Sequence, residues 1–255
     1  MKKILITILT IFLTITFSKA QDDQMEKFQY DTEEVQSESA SYFSVGAGYT
    51  ATFHLINLDE INKVAKQFNL SDLKSTVYLN GIEISTGVIV VKNLNIGFFN
   101  QYGNSISSND SSNVKTSLNY SFQNTGFIVD YAITPFKSFA ILPGLQIGFA
   151  SSTIDIAKTN NDINWNDIKP YPSNDFYYKL EKSYLNIEPR VSIEYAVTNF
   201  LMFRANASYN ISTSNPFTNS DWKYNDNAIV KNVPDNINQS GLKFQLGIFV
   251  GLMNF

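Results

Sequence analysis

Seven charged residues stand where the alternate rows of strands would carry them to one side: Glu83, Asp130, Glu188, Arg190, Glu194, Arg204 and Lys243. Four carboxylates and three cations on such rows could pair into a hydrogen-bonded plug or line a narrow, gated ion path. Hydrolysis by paired carboxylates is a third chemistry, and spacing argues against it. Glu188 and Glu194 are six residues apart on one strand, about 20 Å at roughly 3.3 Å per residue. Two acids acting on one bond sit within roughly 10 Å of each other. Because an uncompensated buried charge is so costly, the plug of salt bridges is the favoured reading.

Other chemistries lack their residues. The sequence has no Cys and a single His. That removes disulfides, thiolate nucleophiles, Cys-based metal sites and the Cys-linked lipid anchor of lipoproteins. His54 alone cannot build a multi-His metal site. The Asp/Asn clusters lack the fixed spacing of a calcium loop. No metal or cofactor is expected. The formal charge of −4 becomes about −7 if residues 1–20 and their three Lys are removed. No basic patch stands out, so nucleic acid is not an expected partner.

The charged residues need strands to hold them, and the chain alternates accordingly. Hydrophobic residues make up 44% and charged ones only 16%, below the roughly 25% charge of ordinary soluble domains. From Ser41 to His54, Phe43, Val45, Ala47, Tyr49, Ala51 and Phe53 alternate with Ser44, Gly46, Gly48, Thr50, Thr52 and His54. A second strand is predicted over Leu79–Val91, with Val88 and Val90 on its apolar row, and a Lys92-Asn93 turn after it. A third follows over Leu94–Gly103, then a loop over Asn104–Asn113. The fourth, Val114–Ile133, changes phase near Gln123–Thr125; a bulge, or a strand half projecting beyond the membrane, would account for that. The fifth starts at Phe139. The sixth (Ser183–Val197), seventh (Leu201–Ile211) and eighth (Gly241–Phe255) complete the set. Pro143 and Pro189 fit a closed sheet only at irregular positions such as bulges.

Connections sort by length. Short ones follow strands two, four and six; long ones follow strands one, three, five and seven. Short turns at one end and long loops at the other are the asymmetry of bacterial outer-membrane barrels. Before the strands, Lys2 and Lys3 precede an apolar run, Ile4–Phe17, and Ser18-Lys19-Ala20 offers small residues at −3 and −1. Residues 1–20 read as a cleaved secretory signal, and residues 21–39 as an acidic, flexible periplasmic leader. Residues 40–255 then form the barrel.

On this pattern the chain resembles small outer-membrane β-barrel proteins of the OmpA-transmembrane-domain type. The resemblance implies an all-β fold, an eight-stranded antiparallel transmembrane β-barrel, to which the residues of the first long loop add one short amphipathic helix. It implies location in the outer membrane with both termini periplasmic, contact with membrane lipid and lipopolysaccharide, and handling by the barrel-assembly machinery, with Phe255 as part of the assembly signal. Phe255 departs from the usual pattern. It shares parity with Met253, Gly251, Phe249 and Gly247, not with the stronger apolar row Leu252, Val250, Ile248 and Leu246.

The first long connection carries the helix. Asn57 is placed to cap it, with Glu60 at N3. Leu58, Ile61, Val64, Ala65 and Phe68 make one apolar stripe. The stripe is expected to bury against the barrel, whether over the mouth, in the lumen or at the membrane interface. The large loops, with Trp165, Tyr171, Phe176, Tyr177 and Tyr178 in one and Phe217, Trp222 and Tyr224 in the other, are candidate surfaces for an extracellular ligand. The leading reading is a non-enzymatic barrel with a structural or surface-interaction role. The first alternative is a narrow channel or hydrophobic-ligand transporter, gated or plugged by the helix near residues 57–70. The second is a lipid- or peptide-modifying enzyme; such enzymes use a His near the barrel rim, but no Ser or Asp motif singles out His54, and a loop-capping role suits it better.

Overall fold

A computed structural model describes residues 42–111, 114–160, 176–218, 221–225, 228–234 and 236–255, with the side chain of residue 160 excepted. The expected signal, the acidic leader, Trp165 and Tyr171 lie outside the described residues.

Eight long strands close into a ring. They are β1 (Phe43–Ile56), β2 (Thr76–Gly87), β3 (Leu94–Ser111), β4 (Val114–Tyr131), β6 (Phe139–Asn160), β7 (Phe176–Thr198), β8 (Leu201–Ser214) and β11 (Gly241–Asn254). Each pairs antiparallel with its neighbours. β11 returns to β1 from Phe43↔Asn254 through Ile56↔Gly241, and β6 pairs with β7. Closure leaves no ring strand with a free edge. Three short pieces, β5 (Ile133–Phe136), β9 (Lys223–Tyr224) and β10 (Ala228–Ile229), attach at the ends. The helix α1 spans Asp59–Gln67.

Period-two alternation survives around the whole ring. Outward residues are apolar and exposed, among them Ile82, Phe127, Leu246 and Val250. Inward residues are buried, and mostly small or polar at mid-height.

Several boundaries differ from the sequence reading, each for an identifiable reason. β2 stops at Gly87: the Val88 N–H donates to the Leu94 carbonyl and Asn93 takes a positive φ, so residues 88–93 turn the chain. Val88 and Val90 are therefore not on a strand row, and Val90 is 92% exposed. Residues 104–111 are not a loop. They continue β3 and pair with β4 to Ser111↔Val114, because backbone pairing needs no apolar face once a strand has left the lipid. No bulge resets β4. Its register with β3 and β6 is continuous through Gln123–Thr125. Leu118, Tyr120 and Phe122 simply point inward, where the interior turns apolar toward the long-loop end. The two prolines need no bulge either. Pro143 lies beyond the last β4–β6 pair, at the break between β4 and β5, and Pro189 falls where β7–β8 pairing skips two positions without changing register.

Helix α1 closes the mouth beside the long loops. Leu58, Ile61 and Ala65 are buried, and Val64 and Phe68 pack on the same cluster with Ile56, Val77, Leu79, Phe122, Ile154 and Trp222. Asn57 accepts the Asp59 N–H at 2.8 Å, but Leu58 occupies the N-cap position and no capping box forms. Glu60 turns instead to Lys63 at 2.8 Å and to Asn236. The hydrogen bond from Lys63 holds its carboxyl below the ordinary range. Buried Asn62 brackets the backbone of Leu73, accepting its N–H at 2.8 Å and donating to its carbonyl at 3.3 Å, which ties the segment after the helix onto the cap.

Candidate functional site

All seven charged residues from the inward rows lie in the barrel interior. Strand parity brings them there, and ring closure decides who meets whom. Arg204, from β8, donates to Glu83 on β2 at 2.8 Å and through Nε to Glu194 on β7 at 2.8 Å. It also reaches Ser85 at 3.3 Å, and its guanidinium lies 4.1 Å from the centre of the Phe249 ring. Arg190 sits between Glu83 and Asp130, 3.5 Å from each, and donates to Gln146 and Ser192 at 3.0 Å. Gln245 donates to the other oxygen of Glu83 at 2.6 Å.

Lys243 and Glu188 make a separate pair, 2.6 Å apart, with Ser208 donating to Glu188 at 2.5 Å. Glu188 and Glu194 thus serve different cations. Glu83 and Glu194 do converge, but on the Arg204 guanidinium, which occupies the space between them. Asp130 is the loosest member: among the described residues it has no hydrogen bond besides its long ion pair to Arg190.

His54 lies inside the barrel, not on its rim. It is fully buried and edge-on to Phe122 at 5.2 Å. Among the described residues no carboxylate or hydroxyl hydrogen-bonds either ring nitrogen, so the histidine–carboxylate pairing of a triad is missing. Nor does any group of metal-ligating side chains form among the described residues.

Sequence reading missed two features of the interior. Tyr42 donates to Glu194 at 2.7 Å, and its ring lies tilted against that of Phe255, 4.9 Å between centres. Its position shares the inward parity of Ser44, which is the signal that could have found it. Tyr42 and Phe255 join Leu142, Met202, Phe249 and Met253 in an apolar cluster at the short-turn end. Phe255 faces inward, and its carbonyl accepts the Ser138 N–H at 2.6 Å. The second missed feature is an amide ladder: Asn186 donates to Gln239 at 3.1 Å, and Gln239 donates to Ser152 at 2.7 Å, directly beneath the apolar cap. The interior therefore runs from an apolar floor through charges and amides to an apolar lid.

No family model matches the chain, and no curated protein matches it. Solved structures similar to it include a major outer membrane protein from Thermus thermophilus, at 9% identity and a TM-score of 0.46, covering 82% of this chain and 99% of that one. Ail, the attachment invasion locus protein of Yersinia pestis, solved in complex with the heparin analogue sucrose octasulfate, is similar at 7% identity and a TM-score of 0.38, covering 84% of this chain and 98% of that one.

Proposed function

We propose that the chain is a non-enzymatic barrel of a bacterial outer membrane, closed to ions, with a structural or surface-interaction role. The observation that carries this is the pairing of two faces. Exposed apolar side chains ring the outside of a closed sheet, and the inside is plugged by ion pairs between two apolar seals. In water, so much exposed apolar surface would be an association hazard; in lipid it is the required face. Short turns would lie in the periplasm with both ends of the barrel, and the long loops outside. Membrane lipid and lipopolysaccharide would meet the outward rows, the assembly machinery would engage β11 with Phe255, and a surface ligand would meet the loops.

Envelope fractionation followed by gels of unboiled and boiled samples tests the location. The expected result is an outer-membrane band whose mobility shifts on boiling; a soluble band without a shift would refute it. Conductance separates the plug from the gated channel. In planar bilayers the protein is expected to give no current steps, and deleting residues 58–68 is expected to give none either, because the ion pairs and the Tyr42–Phe255 floor remain. Steps that appear on deletion would favour the channel.

A further inference from the structure

Two cavities meet under the segment after β10, at the long-loop end. One, of about 220 Å³, is lined by Ile61 and Val64 of α1, Ile154 and Ile156 of β6, and Leu180 of β7. The other, of about 570 Å³, is lined by Lys182, Ser212, Thr213, Ser214 and Asp221. Trp222, Lys231, Val233 and Ile237 line both. An apolar chamber thus adjoins a polar one, with Lys231 on their common wall.

We infer that this end binds a free, single-chain anionic amphiphile, a medium-chain carboxylate, with its tail in the apolar chamber and its head beside Lys182 and Lys231. Three observations choose the occupant. The apolar chamber is smaller than the roughly 300 Å³ at which drug-sized pockets begin, so it takes one short chain and no bulky ring. Among the described residues the polar chamber carries two lysines against one carboxylate, Asp221, and neither Lys182 nor Lys231 makes an ion pair with a described residue. The helix wall is fixed rather than collapsible, because Leu58, Ile61 and Ala65 are anchored in the barrel mouth. Ligand capture here is independent of the envelope reading, whose gel shift needs no ligand.

The test is fluorescence quenching of Trp222 in the Trp165→Phe protein, held in lipid nanodiscs. Bromohexanoate, bromooctanoate and bromodecanoate serve as probes. Quenching is expected to tighten about fourfold per added methylene until the chamber is full. Val64→Phe, which narrows the chamber without adding a second fluorophore, should abolish it, and Lys231→Glu should weaken it by about fivefold. Both variants should keep the gel shift of a folded barrel. Affinity independent of chain length, equal quenching by bromooctanol, or quenching that survives Val64→Phe would overturn the inference. Quenching by brominated phospholipid alone would overturn it too, by assigning the chamber to bilayer lipid.

Discussion

Replacing Arg204 by methionine is expected to destabilise the barrel by about 3–5 kcal/mol, the cost of breaking a buried ion pair from one side. Arg204 is 2% exposed and is the shared partner of Glu83 and Glu194. Methionine would fill much of its volume against Phe249, so lost packing contributes little. What remains is two carboxylates with reduced compensation inside a sealed lumen. Urea titration of protein refolded into bilayers, read by the unboiled gel shift, measures the change. Asp130→Asn is the informative contrast. Among the described residues four carboxylates and three basic side chains face the lumen, and Asp130 is held only at 3.5 Å by Arg190. Its neutralisation should leave the midpoint nearly unchanged. Equal losses for Arg204→Met and Asp130→Asn would mean that the lumen is hydrated throughout and that its charges are not a tight plug.

Leu246→Arg is expected to cost about 2–4 kcal/mol in a bilayer, the range for a cation at mid-membrane on a barrel's lipid face. Leu246 stands mid-way along β11, 62% exposed, paired with Ala51 on one side and Ala205 on the other. The same substitution on a water-facing surface would stay within about 0.5 kcal/mol. The size of the effect therefore reports which solvent covers the outward row. It does so without disturbing the interior, because parity keeps position 246 out of the lumen. A change below about 1 kcal/mol would count against the membrane reading itself.

Local alternation made most of the architecture legible. In β1, β7, β8 and β11 the inward rows were readable residue by residue, because a strand's side chains alternate whatever it pairs with. Reading failed where one pattern served two surroundings. Val88 and Val90 continued an apolar rhythm past a turn fixed by a single left-handed Asn93. Leu118, Tyr120 and Phe122 resembled a lipid face and are instead the underside of the lid. Residues 104–111 look like loop by composition and are paired strand.

Eight alternating segments, an amphipathic helix and the charges of the inward rows are legible along the chain, but not every connection length, since the loop expected over 104–113 is mostly paired strand. The tertiary structure alone decided the partners. Glu83 and Arg204 are 121 positions apart, and Tyr42 and Glu194 are 152 apart. Such pairs exist only once β11 has closed on β1. The physical reason is one of range. Parity is set within two residues by the pleat, whereas contacts across a lumen depend on the tilt and stagger of the whole ring, and the burial of a helix stripe depends on which apolar surface the closed ring offers it.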